Sequence, residues 1–243
     1  MAVIVPFRGV RYNEKVVGKL ADVIAPPYDV ITAEEQEQLY LQNPYNLIRL
    51  EYGKGFPGER TGDNRYTRAA ADLEAWLQER ALLLEQQRSF YIYRQSFAVR
   101  GRTLHRTGLI AALKLEPYSS RVVLPHEDTL AAPKIDRMEL LRSCQANFSP
   151  IFGLFSDPEE NFAGICSQVL QKKPLFHFDG EGDETHALWA IQGQETEAAA
   201  ALLAPKQIFI ADGHHRYDTA LQYSQEAGGD SSPGSRYVLA VLV

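Results

Sequence analysis

At 243 residues, with 45% hydrophobic and 23% charged residues, the chain has the composition of a globular protein long enough for one large core or two small ones. Its formal net charge of −6 speaks against a broad nucleic-acid footprint, which needs a basic stripe to neutralise phosphates. No apolar run reaches bilayer-crossing length, and the opening MAVIVPFRGVRY turns polar too early for a secretory signal, so the expectation is a soluble, cytoplasmic protein without nucleic-acid or membrane partners.

Residues 3–10 read as a strand, followed by Pro26, Pro27, Tyr28 and Asp29, where two prolines forbid helix and fix a stiff turn. Thr32 and Glu35 have the spacing of a capping box for a short helix through Tyr40, residues 46–52 read as the next strand, and the glycine-rich residues 53–62 as a flexible loop. Apolar Ala69, Leu73, Trp76, Leu77 and Leu84 recur at three- and four-residue spacing, predicting one long amphipathic helix over residues 63–87. Two β-rich runs, 89–99 and 103–115, joined by Arg100, Gly101 and Arg102, predict an antiparallel hairpin.

A strand-like stretch at 121–124 leads into His126, Glu127, Asp128 and Thr129; a helix over 134–146, with Pro133 near its start, and a β-run at 150–155 follow. Helices are expected at 159–171 and 195–203, short strands at 175–178 and 187–191, and a strand at 206–211 that runs into Asp212, Gly213, His214, His215 and Arg216. The helix after this motif carries Ala220, Leu221 and Tyr223 and has a stop signal in Gly228-Gly229. The pattern predicts an α+β fold with a mixed, largely antiparallel sheet and flanking helices, forming a single domain over residues 1–243. Because the chain ends on an apolar β-run, 237–243, with no polar tail, a missing C-terminal part is expected.

Cys144 and Cys166 lie in helical patterns without CxxC spacing and read as small core residues; His105, His177 and His186 lie in strand-like surroundings and read as structural. Neither a P-loop nor a dinucleotide-binding glycine motif occurs.

The strand–Asp212–Gly213–helix arrangement points to an anion site. Unpaired N–H groups and the positive end of the helix dipole converge there, and His214, His215 and Arg216 add donors where cations are unfavourable unless an anion offsets them. The segment His126–Thr129 concentrates a general base, a possible metal ligand and a hydroxyl in one loop, and Tyr28 and Asp29 in the proline turn are further binding candidates. His126, Glu127, His214 and His215 are of zinc-ligand type, but HExxH is absent and adjacent histidines seldom converge on one ion, so Mg²⁺ held by Asp212 or Glu127 is the preferred metal reading.

PFRGVR (residues 6–11), APPYDVI (25–31), PHEDT (125–129), NFSPIFGL (147–154) and ADGHHRYDTAL (211–221) together make the chain resemble the bacterial and archaeal domain of unknown function 1015 family from end to end. The DGHHR stretch is also similar to the phosphate-binding motif of the ParB and sulfiredoxin superfamily, including its free serine kinases. That likeness implies a ParB/sulfiredoxin-like core around the motif, with ATP or ADP phosphates on His214, His215 and Arg216 and Asp212 assisting metal or hydroxyl positioning. Sulfinic acid repair is not implied, because no cysteine lies near the motif, and a DNA-partition role lacks the helix-turn-helix and basic surface it needs.

The expectation is therefore a nucleotide-dependent phosphotransferase acting on a small hydroxyl metabolite such as free serine. Its catalytic residues are Glu127, Asp212 and His215; Tyr28, Asp29, His126, Thr129, Gly213, His214, His215 and Arg216 bind substrate or nucleotide; Asp212 and Glu127 hold Mg²⁺. A non-catalytic nucleotide-binding regulatory module and a metal-dependent phosphatase or hydrolase remain alternatives.

Overall fold

The computed structural model describes residues 1–180, 182–227 and 233–243. In chain order it contains β1 (Ile4–Val5), β2 (Val10–Tyr12), α1 (Glu14–Val17), α2 (Ala33–Gln42), α3 (Ile48–Glu51), α4 (Arg65–Gln78), β3 (Leu82–Leu84), β4 (Phe90–Val99) and β5 (Arg102–Lys114). There follow β6 (Val123–Leu124), α5 (Ala131–Cys144), β7 (Ile151–Leu154), α6 (Asn161–Val169), β8 (Phe176–Asp179), β9 (Thr185–Ile191), α7 (Gln194–Leu203), β10 (Ile208–Asp212), α8 (His214–Glu226) and β11 (Tyr237–Leu242). Two units emerge: Met1–Arg8, Gln87–Arg137 and Pro150–Val243 form one, and Gly9–Gln86 with Met138–Ser149 the other.

The first unit is built on a sheet ordered β6-β10-β7-β11-β5-β4-β9-β8, with β1 paired to β5. Its pairs are antiparallel except β6 with β10 and β7 with β11. This is the α+β class and mixed, largely antiparallel sheet that the pattern predicts. The hairpin of β4 and β5 turns at Arg100 and Gly101, both in the left-handed region (φ 51° and 73°). Two consecutive residues of that kind match the strands' twist, and glycine takes the second without strain.

Period-two alternation then decides which face is covered. Leu109, Ala111 and Leu113 of β5, Val238, Ala240 and Leu242 of β11, and Ile208 and Ile210 of β10 enter one cluster with Cys166 and Val169 of α6, Ala199 and Leu203 of α7, and Tyr217 and Ala220 of α8. Each fully buried valine, leucine or isoleucine there contributes about 1.5–3 kcal/mol relative to exposure, and this cluster seats α8 against the sheet that carries β10.

In the second unit α2 starts on the expected capping box, Thr32 and Glu35 each bonding the other's backbone N–H. Three expectations are corrected. Residues 46–52 hold a helical turn, not a strand: the buried Asn46 accepts from the Ile48 amide and donates to the carbonyls of Asp22 and Ile24, which turns the chain and lets Glu51 and Tyr52 bond back to Leu47 and Ile48. The helix predicted over 63–87 ends at Gln78, because Arg80 takes a left-handed φ of 61° and Leu82–Leu84 pair antiparallel with β2. The strand predicted over 3–10 divides, β1 joining the large sheet and β2 pairing with β3.

Cys166 is buried and Cys144 partly so, and burial pushes each thiol up to about 11, consistent with unreactive packing residues. The Gly228-Gly229 stop lies outside the described residues. No helix among the described residues is long and apolar enough to cross a membrane.

Candidate functional site

Parallel pairing brings the two polar motifs together. Ile208 and Phe209 of β10 lie beside Val123 and Leu124 of β6, so both strands point the same way and the chain leaves their carboxyl ends as the 126–130 loop and the start of α8. Loops at the carboxyl ends of adjacent parallel strands are where α/β sheets gather ligand-binding residues. The register of β10 against β7 also shifts between Ile210 and Asp212, a bulge of the kind that re-aims the residues following it.

At the helix start Gly213 is the N-cap, with φ 90° and ψ 29°, and no side chain among the described residues caps the helix. Glycine takes the left-handed conformation with least strain, and the uncapped first turn leaves backbone N–H groups for a ligand. Asp212 precedes the cap but turns to Arg216: the guanidinium Nη2 donates to Asp212 Oδ2 and Nη1 to the carbonyl of Pro150. A Cβ on Gly213 would approach Arg216 Cζ to 3.0 Å, so this guanidinium lies over the helix start.

The two histidines hold the facing loop. Nε2 of His214 accepts from the His126 amide at 3.3 Å, and Nε2 of His215 accepts from the Leu130 amide at 3.0 Å. In neutral rings the proton is therefore on Nδ1 in both. His214 is 1% exposed, and burial pushes its pKa down against the opposing pull of Glu127. Its Nδ1 lies 2.9 Å from Glu127 Oε1, yet outside hydrogen-bond alignment, so this nitrogen has no hydrogen-bond partner among the described residues. His126 donates from Nδ1 to the carbonyl of Ile210 (2.7 Å), just past the last β6–β10 pair, which leaves Nε2 with the ring's lone pair. His126, Glu127 and His214 each offer one ligand atom, and these atoms all lie within 4.8 Å of one another.

Asp218, one turn beyond His214, anchors the rest of the loop. Thr129 Oγ1 donates to Asp218 Oδ2, the Tyr118 hydroxyl donates to Oδ1 at 2.6 Å, and Lys134 Nζ stands 3.7 Å away. Tyr118 stacks on Tyr217 (centroids 5.5 Å apart), whose hydroxyl donates to the Glu116 carbonyl at 2.8 Å. Burial raises both phenols, Tyr217 to about 12, so they act as fixed donors.

Of the residues singled out in the sequence, His126, Glu127, Thr129, Asp212, Gly213, His214, His215 and Arg216 all fall in this region of the first unit. Tyr28 and Asp29 belong to the second unit, in a turn closed by the Val30 amide on the Pro27 carbonyl, with the Tyr28 ring 6.3 Å from that of Tyr52. Asp218 and Tyr118 were not singled out. Asp218 follows His214 by four residues, a spacing that puts both on one helix face, whereas nothing local marks Tyr118.

A family model, described as a protein of unknown function (DUF1015), matches residues 4–243. Searches of curated proteins and of solved structures give no match.

Proposed function

Because the chain belongs to the DUF1015 family, whose description names no activity, we propose from the site itself that it is a phosphotransferase: it seats nucleotide phosphates at the start of α8 and passes a phosphoryl group to a small hydroxyl metabolite such as free serine. The carrying observation is the uncapped, glycine-led start of α8 beside the 126–130 loop, both at the carboxyl ends of parallel β6 and β10. Phosphoryl transfer asks a protein mainly for positioning and charge neutralisation. Backbone N–H groups of the first helical turn supply the first, and Arg216, released from Asp212 by a competing phosphate, supplies the second.

The resemblance of DGHHR to the motif of free serine kinases supports a nucleotide donor, ATP or ADP. The acceptor oxygen attacks the terminal phosphorus, the bond to the nucleotide's bridging oxygen breaks, and Glu127, whose side chain is 52% exposed, takes the hydroxyl proton. Asp212 and Glu127 are the carboxylates that would hold Mg²⁺, which neutralises phosphate charge when bound; Asp212 is 59% exposed and so open to such a ligand. His215 serves by fixing Leu130 and the loop.

The test is a calorimetric titration of ATP and ADP with Mg²⁺ into the wild type and an Arg216→Ala, His215→Ala double variant, followed by transfer assays with serine. Binding lost in the variant, and transfer lost in Glu127→Gln, are expected. Wild type that binds neither nucleotide would overturn the reading; nucleotide bound and left intact with every hydroxyl acceptor would reduce it to a regulatory module.

A further inference from the structure

We propose that His126, Glu127 and His214 form a binding site for a divalent transition-metal ion of the zinc class. Three separate features carry this. The ligand atoms of the three residues lie within 4.8 Å of one another, and an ion with bonds of about 2.0–2.1 Å in a tetrahedral shell draws its ligands to roughly 3.3 Å apart. The His126 ring is already held for such a role: Nδ1 donates to the Ile210 carbonyl at 2.7 Å, which fixes the tautomer and leaves Nε2 as the ligand atom, the usual outer support of a metal-bound imidazole. Finally, His214 Nδ1 is buried, without a hydrogen-bond partner among the described residues, and 2.9 Å from a carboxylate oxygen it does not face in hydrogen-bond alignment. A buried nitrogen left unsatisfied is destabilising, and a nitrogen and an oxygen this close without a shared proton line can serve as neighbouring ligands of one ion.

Two imidazoles and one carboxylate select a borderline ion over Mg²⁺, which keeps oxygen ligands and water. Three protein ligands also leave a coordination position for water or a substrate oxygen, the arrangement of catalytic rather than structural sites. Loading has a local cost. Coordination through Nδ1 moves the His214 ring proton to Nε2, where it meets the His126 amide now donating at 3.3 Å; that long contact is given up and the turn at His126 and Glu127 shifts.

The site does not depend on phosphate transfer, and it competes with it for Glu127, so the two are measured apart. The full chain, stripped with a chelator, is titrated with Zn²⁺ in a non-coordinating buffer without nucleotide, with the His126 amide followed by NMR. One equivalent bound, movement of that amide, no displacement by excess Mg²⁺, and affinity reduced at least about tenfold in both Glu127→Gln and His126→Gln are expected. Both residues are exposed, so these variants keep the fold where a change at buried His214 would threaten it. Absence of stoichiometric binding, or binding as strong in the two variants as in the wild type, would overturn the proposal, because the ion would then sit elsewhere. Failure of nucleotide titrations would leave it standing.

Discussion

Arg216 reaches back four residues to Asp212, across the helix start capped by Gly213. An anion arriving at that start meets the guanidinium already engaged by a carboxylate, and the two compete. Asp212→Asn removes the competitor while keeping the side chain's size. With Mg²⁺ absent, the variant binds inorganic phosphate about 1.4- to fivefold more tightly than wild type, since a partly exposed pair of this kind is worth about 0.2–1 kcal/mol. Calorimetry at low ionic strength measures it; equal or weaker phosphate binding by the variant would show that Arg216 stays with Pro150 and does not serve the anion.

Asp218 ties the 126–130 loop to α8 by accepting from both Thr129 and Tyr118. Asp218→Asn replaces one acceptor oxygen by a donor, so one hydroxyl must turn round to accept and both contacts lose the carboxylate's charge. The expected effect is a loss of about 1–3 kcal/mol in unfolding free energy, with faster amide exchange at Leu130. Tyr118→Phe, which removes only one bond, costs less, about 0.5–1.5 kcal/mol. If both variants melt with wild type and Leu130 stays protected, the histidine contacts alone hold the loop.

Legibility in the sequence followed the range of the physics involved. The capping box of Thr32 and Glu35 and the Arg100-Gly101 hairpin are settled by neighbours in the chain, and both are as the residues foretell. Residues 46–52 read as a strand because Ile48 and Leu50 alternate, yet both are fully buried in a helical turn fixed by Asn46, whose partners Asp22 and Ile24 lie more than twenty positions away. Leu84 continued a helical spacing by coincidence, and its pairing with Val10 is remote in sequence. The same holds at the site. The types of residue in PHEDT and DGHHR were visible, but their meeting depends on parallel β6 and β10, and the roles of the Ile210 and Pro150 carbonyls carry no residue-type signal at all.

His186 sits between the rings of Phe178 and Tyr93, with Nδ1 2.7 Å from the Tyr93 hydroxyl. Burial pushes its pKa below the ordinary value of 6.5, against the upward pull of Glu184. The unfolded chain therefore takes up this proton before the folded one does as pH falls. The stability it contributes is complete above the unfolded value and is lost as pH falls from there through the lower folded value. Thermal midpoints measured from pH 7.5 to 5 are expected to fall less steeply in His186→Gln than in wild type. Parallel curves would place the pH dependence in other groups.

Gly153 occupies the middle of the sheet, where β7 runs between β10 and β11, and a Cβ there would come within 2.8 Å of both Ile208 Cγ2 and Leu242 Cδ2. Those two side chains are fully buried, so neither has open space to turn into. Gly153→Ala is expected to destabilise by about 1–3 kcal/mol through overpacking. Gly164 provides the contrast, since it lies in α6 with nothing among the described residues within 4 Å of an added Cβ, and Gly164→Ala is expected to stabilise by about 0.5–1 kcal/mol through helix propensity. Chemical denaturation of the pair separates crowding from backbone effects. Phe152, the neighbour of Gly153, is the partner of Asp212 in the sheet, so displacement of β7 carries to the start of α8. Phosphate binding should therefore weaken in Gly153→Ala and stay at the wild-type level in Gly164→Ala; unchanged binding in both would mean that the bulge in β10 insulates the helix start from the sheet.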